Sequence, residues 1–256
     1  MTSVLKEKKE KVGYIVLNRP EAYNTFNIPL ATELNDALRE MDEDPGVNVV
    51  VIAGAGKNFC TGIDVNFLGG KTQEEYLDWV RLMEEMNLTI AKMAKPVIAS
   101  VQGIAVANGI GLVAASDLAV AEEDARFGAT AVNVGLFCMG PAVPLLKTLG
   151  RKKTLELIML GELIDAGEAL RLGLVNQVVP KGTLEAATHA YALKLAEKSP
   201  LALRMGKQSF YKMEDLPFEE ALESTNLDFA RLSGTEDALE GVEAFLNKRP
   251  PVWKMK

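Results

Sequence analysis

Apolar positions follow two rhythms along the chain. Runs rich in β-branched residues, Val12 to Asn18 and Val47 to Ala53, are bounded by Gly, Pro and Asn and read as buried strands. Between them Leu30, Leu34, Ala37, Leu38 and Met41 recur at helical spacing over Ile28 to Asp42, so strand, helix and strand form a βαβ unit. The alternation continues with an amphipathic helix from Thr72 to Met93, a strand from Pro96 to Ser100, a small-residue helix from Asn108 to Ser116 and a strand from Leu118 to Ala121. A loop follows Phe127, and helices are predicted over Pro141 to Leu149 and Thr154 to Leu160. Such alternation specifies an α/β class with mostly parallel strands, in which short strands stacked by repeated crossovers build a spiral of turns. No exact internal repeat marks a solenoid.

From Gly182 onward the periodicity is helical throughout, over Thr183 to Lys198, Leu201 to Met213, Pro217 to Leu232 and Thr235 to Lys248, with Pro200, Pro217 and Gly234 at starts and stops. The expected organisation is an α/β core over residues 1–181 and a helical region over 182–256 that covers a site or makes a subunit contact.

Composition narrows the function. With 256 residues and 48% hydrophobic content the chain buries a sizeable core. A formal net charge of -7 argues against a nucleic-acid footprint while leaving room for a local basic pocket. Cys60 and Cys138 are the only cysteines and stand in no metal-ligand spacing, so no metal site is expected and reduced thiols in a cytoplasmic protein are. The first eleven residues hold no apolar segment behind their charges, and no stretch reaches the ~20 apolar residues of a membrane span, so neither a secretory signal nor a membrane partner is expected.

The candidate chemistry lies in two glycine-bearing turns, each following a β-branched run: Asn58 to Asp64 (NFCTGID) and Gly103 to Leu112 (GIAVANGIGL). Bare backbone N–H groups at a strand end and a helix start can hold a carbonyl oxygen that gains negative charge, without reorganising as it does so.

These two turns, the Leu17 to Asn24 stretch (LNRPEAYN), the Ala166 to Val179 segment and the Glu240 to Pro250 tail together resemble the crotonase, or enoyl-CoA hydratase/isomerase, superfamily over about residues 10 to 250. The resemblance implies a crotonase-like spiral of repeated ββα turns with a C-terminal helical trimerisation region, hence a homotrimer or dimer of trimers. It implies an acyl-CoA or enoyl-CoA thioester as substrate, no cofactor beyond that coenzyme A, and an enolate held by two backbone amides. Carried onto this sequence, the donors are the N–H groups of Ile63 and Asn108, with Asn108 standing where the family usually has glycine. Ala22, Tyr23, Cys60, Gly62, Asp64, Val65, Gly109, Gly111 and Ala131 fall where family members line the substrate and its coenzyme A.

The two glutamates that family hydratases use fall on Gly111 and Ala131, neither of which can move a proton. A positioned acid or base is worth ~10² to 10⁴ in rate, so standard two-glutamate hydration is in doubt. Thr130 and Asn133 flank the second empty position and are candidates to order a water. Cys138 reads as a packed thiol, and Asp117 as structural. Glu84 and Glu85 lie on the 72–93 helix, which in family members borders the acyl pocket, and read as its solvated face; His189 lies too far along the chain for a triad. Three readings stay open: an enoyl-CoA hydratase- or isomerase-type enzyme with an atypical proton carrier, a decarboxylase-like enzyme that needs no base, and a catalytically silent acyl-CoA binder.

Overall fold

A computed structural model of the chain describes residues 2–256. Its centre is a six-stranded sheet in the order β1 (Val4–Lys9), β2 (Val12–Leu17), β3 (Val49–Gly54), β4 (Val97–Val101), β6 (Leu118–Glu122) and β9 (Gln177–Val179). All neighbours are parallel except β1 with β2. β5 (Ile104–Val106), β7 (Arg126–Gly128) and β8 (Leu163–Asp165) form a second, three-stranded sheet, and the crossings from one sheet to the other make the spiral.

Strand alternation decides which helices cover which face. Ile15, Leu17, Val50, Ile52, Val97, Ala99 and Val101 point into the larger core with α1 (Ile28–Glu43), α2 (Gln73–Lys92) and α3 (Asn108–Ala115). The intervening Val12, Val49, Val51, Ile98 and Val120 face Leu184, Ala192 and Ala196 of α6 (Leu184–Ala196). A sheet covered on both faces explains why β3 is an unbroken apolar run.

Local signals set the helix starts. Asn27 caps α1 through its side chain to the Leu30 N–H at 2.9 Å, with a proline in the first turn. Thr72 and Glu75 form a reciprocal capping box on α2, whose Trp79, Met83, Met86 and Ile90 make the buried stripe.

The expected elements are found to within a few residues, and the helices predicted over 141–149 and 154–160 run as one, α4 (Met139–Leu160), broken at Gly150 by a φ of 72°. The sequence reading passes over β1, whose VLKEKK buries only Val4; it is an edge strand held by pairing and kept soluble by its charges. It also passes over β5, β7, β8, β9 and α5 (Ala166–Arg171), segments too short to show a period. Beyond α6 the chain folds as α7 (Pro200–Met213), α8 (Phe218–Ser233) and α9 (Glu236–Leu246). Among the described residues no helix is long and apolar enough to cross a membrane.

Candidate functional site

The two glycine turns meet. Isolated parallel bridges join Cys60 to Ala105 and Phe26 to Ile63, and the Cys60 carbonyl accepts the Val106 N–H at 3.0 Å. The approach depends on absent side chains: a methyl on Gly109 would run into the Cys60 carbonyl, and one on Gly62 would lie 2.8 Å from Ala107 Cβ and 3.9 Å from the Asn108 nitrogen. Ala107, the residue before α3, takes φ 50° and ψ −116°, strained for an alanine, and its N–H bonds the Gly128 carbonyl at 3.0 Å. The strain turns the chain so that Asn108 opens the helix. Among the described residues neither the Ile63 nor the Asn108 N–H donates to another backbone or side-chain group.

A buried asparagine braces the loop opposite. Asn24 is fully buried at φ 56°; its Nδ2 donates to the carbonyls of Ala55, Asn58 and Phe59, and its Oδ1 accepts the Arg19 N–H. Arg19 in turn donates to Asp64 at 3.0 Å and to the Thr25 carbonyl at 2.5 Å. Burial opposes ionisation of Asp64, but hydrogen bonds from Arg19 and Asn66 outweigh it and hold the carboxyl below its usual range.

The expected contact residues differ in exposure. Cys60 is fully enclosed, with burial pushing its thiol up to about 12, so its side chain cannot touch a ligand. Asp64 commits its oxygens to Arg19 and Asn66, the turn role of an aspartate at such a corner. Asn133 is exposed and donates its amide to the Gly161 carbonyl at 3.0 Å, locking the end of α4. Thr130 opens the short 3-10 turn Thr130–Val134 and packs its methyl toward Gly128. Tyr23 and Val65 stand exposed at 60% and 57%, while Ala22 is half-buried with its carbonyl accepting from Thr25.

At Gly111 the position is crowded. A Cβ there would lie 3.1 to 3.2 Å from three atoms of Pro141, so a side chain fits only if the proline gives by a few tenths of an ångström. Ala131 is half-buried and packs against the core.

A carboxylate arrives from the other side. Glu85 lies on the solvated face of α2 and pairs with Arg39. Glu84 turns the other way, accepting Asn108 Nδ2 at 2.9 Å and Asn87 Nδ2 at 2.8 Å. Amphipathic periodicity sends both glutamates to solvent, yet Glu84 lies on the flank of the apolar stripe beside Met83, where α2 meets α3 and α4. Its carboxylate fills the space a side chain at Gly140 would need, and Cys138, buried, feels its charge. Burial raises the Glu84 carboxyl to about 7 against the two amide hydrogen bonds that lower it.

The remaining polar candidates belong to the frame. Asp117 accepts the Val97 N–H, Lys207 Nζ and the Tyr211 hydroxyl at 2.7 to 2.9 Å, tying α7 to the sheet. His189 bonds Tyr14 at 2.6 Å on the α6 side of the sheet, away from the two turns. No group of three or more His, Cys, Asp or Glu suited to a metal occurs among the described residues.

Spiral core, paired turns and strained helix start define a class, and comparison with known proteins supplies its name. The model of the enoyl-CoA hydratase/isomerase family matches residues 7–256. The enoyl-CoA hydratase domain-containing protein 3 of Xenopus laevis is 34% identical over 96% of this chain and 84% of its own length. The (E)-benzylidenesuccinyl-CoA hydratase of Thauera aromatica is 34% identical over 97% of each chain. The crystal structure of an enoyl-CoA hydratase from Mycobacterium smegmatis superposes with a TM-score of 0.94 at 39% identity, covering 98% of both chains. The chain therefore belongs to the enoyl-CoA hydratase/isomerase family.

Proposed function

We propose that the chain takes an acyl-CoA or enoyl-CoA thioester and holds its carbonyl oxygen between the N–H groups of Ile63 and Asn108, stabilising the enolate formed as the α-carbon reacts. The observation that carries this reading is that both amides stand on adjoining turns with no internal acceptor, one of them at a strained helix start. Family membership supports the thioester. The decarboxylase-like and silent-binder readings both began from a site without an acid, and Glu84 beside Asn108 weakens that premise.

No cofactor besides the coenzyme A of the substrate enters this chemistry. Phe218, Phe229 and Phe245 on the C-terminal helices are 82%, 72% and 81% exposed, which supports assembly through these helices as a homotrimer or a dimer of trimers. The two free, buried thiols suit a cytoplasmic setting. Sedimentation equilibrium tests the assembly.

The hole is tested with a conjugated aryl enoyl-CoA and its thioether analogue, which lacks the carbonyl oxygen. The thioester should bind at least tenfold more tightly and its absorption should shift to the red as the carbonyl polarises. Equal affinities with an unshifted spectrum overturn the reading.

A further inference from the structure

Resting on the enolate reading above, we propose that Glu84 is the catalytic residue that moves the proton at the substrate's α-carbon, and that Asn87 and Asn108 position its carboxylate. Four observations lead there. The positions where the family's acids would fall are Gly111, crowded by Pro141, and Ala131, neither of which carries an ionisable group. Glu84 is one side chain's length from the hole, because Asn108 offers its backbone N–H at the turn and its own Nδ2 to Glu84 Oε1 at 2.9 Å. Gly140, whose Cβ would lie 2.6 Å from Glu84 Oε2, leaves the room that the carboxylate occupies. Among the described residues the Oδ1 of Asn87 is buried without a partner, while its Nδ2 donates to Glu84.

That orphan acceptor has a use. An ionised Glu84 accepts from the Asn87 amide, whereas a protonated one must donate; rotating the Asn87 amide by half a turn presents Oδ1 to the acid's O–H. Both protonation states therefore find a partner, as a group that takes and returns a proton requires. The groups facing Glu84 are Asn87 on its own helix, Asn108 on α3, and Cys138 and Gly140 at the start of α4. No cation among them holds it ionised, so burial dominates and leaves it poised between acid and base near neutrality.

The step balances with one carboxylate. A Glu84 oxygen forms an O–H bond with the α-hydrogen; the C–H electron pair becomes the new carbon–carbon π bond, and the carbonyl π pair moves onto the oxygen held by the Ile63 and Asn108 amides. In reverse the acid returns its proton to the α-carbon, or to the γ-carbon when the substrate carries a β,γ double bond, and Glu84 is ionised again.

The experiment incubates the full chain with vinylacetyl-CoA in deuterium oxide, following crotonyl-CoA by absorbance and deuterium uptake by mass spectrometry. Glu84→Gln should lower both rates on the order of 10²-fold or more, with Kd for the thioether analogue within twofold of the parent. Glu84→Asp should recover part of the rate, and Glu85→Gln should match the parent. The parent's rate should rise with pH through a single inflection near 7, a readout independent of how well Glu84→Gln folds. Exchange by folded Glu84→Gln within threefold of the parent, or a parent rate flat between pH 5.5 and 8.5, overturns the assignment. A parent that binds the thioester with the red shift yet exchanges no proton overturns the assignment alone, and a parent that binds no thioester overturns the enolate reading with it.

Discussion

Gly109 and the Cys60 carbonyl occupy adjacent space: a Cβ on Gly109 would lie 2.9 Å from the Cys60 carbonyl carbon and 3.2 Å from its Cβ. Backbone against backbone leaves nothing flexible to give way. Gly109→Ala should therefore separate the two turns, costing ~1–3 kcal/mol in stability from overpacking and a further ~10²-fold in turnover as one donor leaves its place. Chemical denaturation and steady-state kinetics check both; a variant with unchanged turnover would show that the turns need not touch.

Gly140 makes a contrasting case. The three atoms nearest a methyl there all belong to the end of the Glu84 side chain, which can swing aside. Gly140→Ala should cost ~1–3 kcal/mol, because moving the carboxylate aside breaks its part-buried hydrogen bonds to Asn87 and Asn108, and should reduce turnover at least tenfold by displacing it. Loss of stability without loss of turnover would place Glu84 outside the reaction.

The fold was legible because β3, α1 and α2 carry strong periods, and α2 also carries its capping box in plain sequence. The oxyanion turns were legible as glycines, since only backbone approach demands them. Glu84 was not. Helical periodicity sends every charged residue to solvent and has no means of telling Glu84 from Glu85, whose side chains diverge by ~100°. The faint signal was spacing: Asn87 stands three residues on, one turn along the same flank, with asparagine in the family's glycine position at 108. Nothing local announces that Pro141 would crowd the space beside Gly111, a contact between residues thirty positions apart.

Asn108→Gly separates the two services of that residue. The backbone N–H stays, so thioester affinity should remain within about threefold, while Glu84 loses one of the two hydrogen bonds that favour its ionised form. The inflection of the pH–rate profile should move upward from about 7, most of a unit or more for a charged-group hydrogen bond of ~1.5 kcal/mol. An inflection that stays put would mean that Asn108 does not hold the titrating group.

The Arg19–Asp64 pair gives an acid-side signature. Both side chains are largely buried, 16% and 10% exposed, so Arg19→Met leaves an unpaired carboxylate at a cost of ~3 kcal/mol. Because the folded Asp64 carboxyl is held below its ordinary 3.8, the stability it contributes is present above that value and fades as pH falls beneath it. Arg19→Met should be weaker than the parent near neutrality, and the gap should narrow toward pH 3, as urea midpoints would record. A gap independent of pH would mean that packing, not charge, is what Arg19 supplies.

Glu84 predicts the opposite sign. Its carboxyl is raised by burial to about 7 from an ordinary 4.5, so the folded chain keeps a proton that the unfolded chain releases. Below the ordinary value both states are protonated and there is no cost. Between the two values stability falls as pH rises, and above about 7 the full penalty applies, on the order of 3 kcal/mol at 1.36 kcal/mol per unit. Glu84→Gln is neutral throughout and escapes this slope, whatever fixed offset its amide introduces. The stability difference between Glu84→Gln and the parent should therefore shift in favour of the variant between pH 5 and pH 8, by up to about 3 kcal/mol. Parallel curves over that interval would show that the carboxylate is already ionised at pH 5, and a residue in that state could not carry a proton at neutrality.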